Sequence, residues 1–188
     1  PYYSKPPQAG LAAHVRTIAD SIDVPVMIYD IPGRTAVPFH TETLVRLAEH
    51  PRVAAVKDAK GDFEASAWVL ARTDLAYYSG DDKNTLPLLS IGAVGVVGVP
   101  THVVGERVGR MVRAFESGDV AGALALHREL LPVFTGFFRT QGVILTKAAL
   151  TLLGLPGGPV RSPLVDATPD EVRQLRADLA AAGIGVPA

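Results

Sequence analysis

Four short apolar runs, each closed by polar or glycine residues, punctuate the first hundred residues, and the stretches around them have helical periodicity. This alternation constrains the fold more than any other feature. The runs are VPVMIYDI (24–31), VAAVKDA (53–59), LAYYSGD (75–81) and VGVVGV (94–99). Short and rich in Val, Ile and Tyr, they read as parallel strands buried on both faces. Ahead of the first, AGLAAHVRTIADSI carries Leu11, His14, Val15, Ile18 and Ile22 at helical spacing. HTETLVRLAEH opens on Thr41 as a candidate N-cap and carries Leu44 and Leu47, and DFEASAWVLART and NTLPLLSIG fill the next two gaps. Strand then helix with short connections implies right-handed βαβ units and one parallel sheet.

After residue 100 the pattern becomes helical only: THVVGERVGRMVRAFESG, DVAGALALHRELLPVFTGFF, TQGVILTKAALTLLG and TPDEVRQLRADLAAAG. One Pro/Gly-rich connector, LGLPGGPVRSPLVDATP, separates the last two. Four βα units with a helical tail amount to half of an eight-stranded barrel. The expected fold class is therefore α/β, the C-terminal half of a (β/α)8 TIM barrel followed by a helical C-terminal extension. Residues 1–104 would form the partial barrel, and 105–188 the last barrel helix and the extension. The opening PYYSKPPQ would be the loop and helix start that follow a missing strand. On pattern alone an open, doubly wound four-stranded sheet is the competing architecture.

Composition bounds the partners. With 188 residues and 48% hydrophobic content the chain can bury a core of its own. Lys and Arg number 18 against 19 Asp and Glu, so a net charge of −1 gives no electrostatic reason to expect nucleic acid or an anionic membrane. Without cysteine there are no disulfides, thiolate nucleophiles or cysteine-held metals. No apolar run is long enough to span a bilayer, and the first residues do not resemble a signal peptide. A soluble, cytoplasmic chain is expected.

Strand parity then singles out one amine. In VAAVKDAK (53–60), Val53, Ala55 and Lys57 share one face, and Ala54, Val56 and Asp58 the other. On the preceding strand Met27, Tyr29 and Ile31 share a face, so a barrel would turn both Tyr29 and Lys57 inward near the strand ends, where barrels hold their chemistry. Partial desolvation there would lower the pKa of Lys57 and leave neutral amine to attack a carbonyl, with Tyr29 able to shuttle protons. The competing reading is a strand-end lysine extending into water. Lys60 falls in the following loop and is expected to be solvated. Gly92, Gly95 and Gly98 do not match a dinucleotide-binding spacing, Asp81 and Asp82 read as a polar turn rather than a metal site, and the five histidines show no ligand spacing. No G-x-S-x-G elbow is present.

Four motifs in order, PYYSKP, YDIPGRT, VKDAKGD and YYSGDD, carry a resemblance that covers essentially the whole chain. The chain resembles the class I aldolase family of dihydrodipicolinate synthase and N-acetylneuraminate lyase, and is most similar to its actinobacterial synthase members. The resemblance implies that Lys57 forms a Schiff base with pyruvate, whose enamine then condenses with L-aspartate 4-semialdehyde. Tyr29 matches the tyrosine that relays protons to that lysine, and Tyr3 the second relay tyrosine, which reaches a neighbouring subunit's site. Arg34 matches the arginine that binds the semialdehyde carboxylate; as a planar bidentate donor it suits that task, though a surface arginine in a Pro/Gly turn is the bland alternative. Val97 matches a position whose carbonyl faces the pyruvate derivative, and Gly80 a glycine beside the pocket. The four strands become barrel strands 5–8. No cofactor or metal is implied, since the protonated imine is the electron sink. A homo-oligomer, a tetramer built from tight dimers, is implied as well.

Two departures qualify the match. The family's TTGE motif is not found, so the sequence by itself is expected to lack part of the site. FFRTQGVILTKAAL replaces an E-P-N-P-x-P-x-K-type stretch, placing Lys147 in the corresponding slot with no catalytic role. Tyr2 matches a residue lining a lysine-inhibition site in some members, with interface packing as its simpler reading. A sugar-acid aldolase of the same family and a catalytically silent partial barrel are the alternative functions. The intact IPGRT favours the synthase.

Overall fold

The computed structural model describes residues 1–187. The chain divides into two units, Pro1–Val97 and the residues from Gly98 onward. In the first unit helix α1 (Gln8–Asp20) leads into β1 (Val26–Asp30), the one-turn helix α2 (Pro32–Thr35), α3 (Thr41–Ala48) and β2 (Val53–Asp58). Then come α4 (Phe63–Leu70), β3 (Ala76–Ser79), a 3-10 turn (Asp82–Asn84), α5 (Thr85–Ser90) and β4 (Gly95–Val96).

The strands pair in parallel in the order β1-β2-β3-β4. One face of the sheet, with Ile28, Val56 and Tyr77, shares a buried cluster with Val15 and Ala19 of α1, Leu44 and Leu47 of α3, Val69 of α4 and Leu88 of α5. Strand order rising with sequence and helices on a single face are the arrangement of a (β/α) barrel wall. A doubly wound sheet reverses its strand order and carries helices on both faces, so that alternative is excluded.

Local details depart from the sequence reading in three places. The buried stripe of α1 runs through Leu11, Ala12, Val15 and Ala19, while His14 and Ile18 are exposed; two alanines complete a face that a search for large apolar residues overlooks. Thr41 is the first residue of α3 rather than its cap. His40 caps the helix without a side-chain bond, and its amide donates to Gln8 Oε1 at 3.0 Å, while Gln8 Nε2 donates to Pro38 O at 2.8 Å. Strand β2 contains a register shift: Val26 pairs with Val53 but Met27 with Ala55. The extra residue, Ala54, is exposed, and Val53 joins Val56 in the helix-side cluster. Simple alternation therefore fails at Val53 and holds from Ala55 onward, as expected beyond a bulge.

The second unit is helical: α6 (Thr101–Glu116), α7 (Val120–Gly136), α8 (Gly142–Leu152) and α9 (Pro169–Ala181). Val108, Met111, Leu130, Phe134, Phe137, Leu145, Leu175 and Leu179 are all at most 2% exposed and form its interior. Polar contacts fasten its edges. Arg107 donates to Ala182 O at 2.6 Å and pairs with Glu129, and Arg139 donates to Asp178 through both terminal guanidinium nitrogens. Thr168 and Glu171 form a capping box at the start of α9. Lys147 donates to Gly157 O and Pro159 O at 3.0 and 2.9 Å, so its amine ties α8 to the connector.

Candidate active site

The sheet face opposite the helices carries one row across four strands: Tyr29 on β1 pairs with Lys57 on β2, Lys57 with Tyr78 on β3, and Tyr78 with Gly95 on β4. In-register residues of parallel strands project to the same side, so Lys57 is flanked in the sheet by two tyrosines. Lys57 Nζ lies 4.0 Å from the Tyr29 ring centroid, over its π face. Burial pulls the Lys57 pKa below the ordinary lysine value, with the Asp82 carboxylate opposing in part. Burial pushes the Tyr29 phenol up; Arg34 counters this, and Asp81 and Asp82 add to it. The row thus holds an amine more readily neutral than in water beside a phenol that keeps its proton, the pair that carbonyl addition and dehydration need.

The other predicted residues fall around this row or away from it. Gly80 has its amide on Asp58 O at 2.7 Å, and a Cβ there would stand 3.0 Å from Lys57 Cγ, so the missing side chain is what leaves room for the lysine stem. Gly95 similarly lies under the Tyr78 ring, where a Cβ would meet ring carbons at 3.3 Å. Arg34 sits exposed on α2, so its stretch of Pro and Gly is a helical turn; its charge reaches Tyr29. Val97 follows β4, donates its amide to Ser79 O at 2.8 Å and is half-exposed. Tyr3 is not brought to the row: it is 89% exposed with φ at 58°, and Tyr2 beside it is exposed too.

Lys60 overturns its sequence reading. Its side chain is only 8% exposed, and its Nζ lies 3.3 Å from Asp30 Oδ2 and 3.9 Å from Asp58 Oδ2. The backbone explains the difference. Asp58 Oδ1 accepts from the Lys60 amide at 2.8 Å, and Gly61 follows at φ 77°, a turn that folds the lysine back under the strand ends instead of into water. Ser66 Oγ donates to Asp58 Oδ2 at 2.6 Å and the Phe39 amide to Asp30 Oδ1 at 3.2 Å. Burial raises the Asp30 carboxyl and Lys60 opposes it; burial and then Asp58 raise the Tyr77 phenol. The signal for this cluster was present in the parity: two aspartates on the helix-facing side of adjacent strands require a buried cation or donors.

Among the described residues no group of three or more His, Asp or Glu is disposed to hold a metal ion, and no helix is long and apolar enough to cross a membrane.

Comparison with known proteins gives this geometry its context. Residues 1–182 match the model of the dihydrodipicolinate synthetase family. A 4-hydroxy-tetrahydrodipicolinate synthase of Acidothermus cellulolyticus is 76% identical over 97% of the chain and 59% of its own length. A second such synthase, from Streptomyces coelicolor, is 60% identical over 98% of the chain and 62% of its own length. The crystal structure of DHDPS from Cyanidioschyzon merolae with lysine bound superposes with a TM-score of 0.95 at 45% identity, over 98% of the chain and 64% of that one. Dihydrodipicolinate synthase from Aquifex aeolicus gives 0.95 at 32% identity, over 100% and 65%. The chain thus spans about three fifths of the length of the curated relatives it matches. With a barrel-wall sheet, a partly buried lysine over a tyrosine ring at the strand ends, and a match running through both units, the chain belongs to the dihydrodipicolinate synthetase family.

Proposed function

We propose that the chain carries the Schiff-base centre of a pyruvate-dependent class I lyase that condenses pyruvate with L-aspartate 4-semialdehyde to 4-hydroxy-tetrahydrodipicolinate, a step of lysine and diaminopimelate biosynthesis. The observation that carries this reading is Lys57: an amine with a lowered pKa, 4.0 Å above the Tyr29 ring, in a chain 76% identical to a synthase of that name. Strands β1–β4 are read as barrel strands 5–8.

Neutral Lys57 attacks the C2 carbonyl of pyruvate, and the carbinolamine loses water to form the imine. Tyr29 donates and recovers the protons, with Tyr3 as the second relay group, contributed across a subunit interface. Loss of a C3 proton gives the enamine, whose C3 bonds to the aldehyde carbon of the semialdehyde. The substrate's own amine then displaces Lys57 as the ring closes, restoring the free lysine. Arg34 holds the semialdehyde carboxylate, while Val97 and Gly80 line the pyruvate end. The imine itself accepts the electron pair, so no cofactor is required. The protein works on small molecules in the cytoplasm, as a homotetramer assembled from tight dimers.

Reduction with borohydride in the presence of pyruvate should leave a carboxyethyl group on the peptide containing Lys57; digestion and mass spectrometry read it, and its absence there sinks the proposal. Arg34→Ala should raise the half-saturating concentration of the semialdehyde by about tenfold to a hundredfold, the value of a charge-assisted bidentate contact, and affect pyruvate less. Unchanged semialdehyde kinetics would remove Arg34 from the carboxylate role.

A further inference from the structure

Asp30 and Asp58 are register partners on β1 and β2, one residue beyond the Tyr29–Lys57 pair, and both are almost wholly buried. Two carboxylates facing each other on neighbouring strands repel, and in a desolvated setting water cannot screen them. The ammonium of Lys60 lies within 4 Å of both, with Ser66 and the Phe39 and Lys60 amides meeting the remaining carboxylate oxygens. The next rung of the ladder, Ala59 N to Asp30 O at 2.9 Å, closes over this cluster. Tyr77 of β3 borders it, and Phe39, His40, Asp62 and Ala65 line a shallow cavity beside Lys60. On the opposite side of the sheet Tyr29 and Tyr78 flank Lys57 in register, the Asp82 carboxylate acts on its amine, and Arg34 and Asp81 act on Tyr29 beside it.

We propose that Lys60 is a positioning residue: by cancelling the repulsion between Asp30 and Asp58 it holds the ends of β1 and β2 together and keeps Tyr29 and Lys57 in register for reaction. Lys60 does not touch the reacting atoms. It acts through the two aspartates, each of which directly follows one member of the pair in sequence. Removing the ammonium leaves two buried carboxylates side by side; the strand ends separate, water enters, and Lys57 leaves the ring face of Tyr29. Removing one carboxylate together with the ammonium restores the balance. The consequence for pyruvate rests on the Schiff-base reading above; the placement of the Lys57 amine does not.

The test therefore uses two readouts on the parent protein, Lys60→Met and Lys60→Met/Asp30→Asn. The first is the pH profile of reductive methylation of Lys57 by formaldehyde and cyanoborohydride. The second is the rate of borohydride-trapped pyruvate adduct formation. In Lys60→Met the methylation midpoint should move up toward that of an ordinary lysine. Trapping at saturating pyruvate should slow about tenfold or more, the scale set by a misplaced reacting group, while the half-saturating concentration moves much less. The double variant should return both readouts to within about threefold of the parent, the limit set by retained geometry. Parent-like behaviour of folded Lys60→Met overturns the inference, as does a double variant no better than the single. If Lys60→Met does not fold, the double variant decides: folded and parent-like supports the inference, slow or unfolded overturns it. A parent that traps no pyruvate removes the Schiff-base reading alone, and the methylation profiles then decide the role of Lys60.

Discussion

Lys57→Arg should yield no pyruvate adduct at the position that replaces Lys57, a loss of at least about a thousandfold in trapping signal, because a guanidinium never offers a neutral amine at accessible pH. Parallel digestion of parent and variant after borohydride treatment measures it. An undiminished adduct elsewhere in the chain would move the nucleophile away from β2. Lys57→Met gives the complementary result in stability. The folded-state pKa of Lys57 lies below its unfolded value because burial disfavours the ammonium. Below the folded pKa the lysine therefore opposes folding, and this opposition fades as pH rises from the lowered value toward the unfolded value of about 10.4. Lys57→Met should accordingly unfold at a higher temperature than the parent at neutral pH, with the gap closing toward alkaline pH. A gap that stays constant with pH would show that desolvation of the amine is not its source.

The elements were legible because the sequence changes period where the chain changes structure. All four apolar runs contain strands, and Lys57 and Tyr29 face the same side, as alternation from Ala55 onward requires. Strand order and the single helix-bearing face were not legible from local pattern alone, which leaves a barrel wall and a doubly wound sheet both open; the four family motifs pointed to the barrel, and the structure has its order. That choice rests on long-range packing of Leu44, Leu47, Val69 and Leu88 against Ile28, Val56 and Tyr77. Lys60 shows a different gap. Its position after a strand and before Gly61 reads as a solvated loop, and only an inventory of the buried charges of Asp30 and Asp58 would have called it inward. Tyr78 shows a third: local alternation gives its face on β3 but not its partner, and only the pairing register places it opposite Lys57. Tyr3 carries its expectation only through resemblance; its exposed side chain stands apart from the Lys57 row.

Gly80→Val should slow pyruvate trapping by about a hundredfold while leaving a folded protein, because the glycine's missing side chain is space that Lys57 uses. A Cβ at Gly80 would lie 3.0 Å from Lys57 Cγ, 3.1 Å from Ala59 Cβ and 3.1 Å from the Asp58 carbonyl oxygen. The last of these is backbone that already accepts the Gly80 amide at 2.7 Å, so it cannot retreat without loosening β2 from the turn after β3. The lysine stem is the softer neighbour and must give way first. Overpacking of this kind typically costs about 1–3 kcal/mol in stability, and moving the amine by about an ångström can cost a hundredfold in rate. Gly80→Ala, with one carbon to accommodate, should fall between parent and Gly80→Val. Gly105→Ala is the control: its Cβ would meet only Thr101 Cβ at 3.9 Å, next to the kink at Val104 in α6, so the change should leave trapping unaltered. Initial trapping rates and denaturant midpoints on the four proteins separate displacement of Lys57 from general destabilisation. Measuring at saturating pyruvate removes any effect of the added side chain on pyruvate binding, and a folded Gly80→Val protein that then traps pyruvate at the parent rate would show that the lysine does not depend on this space.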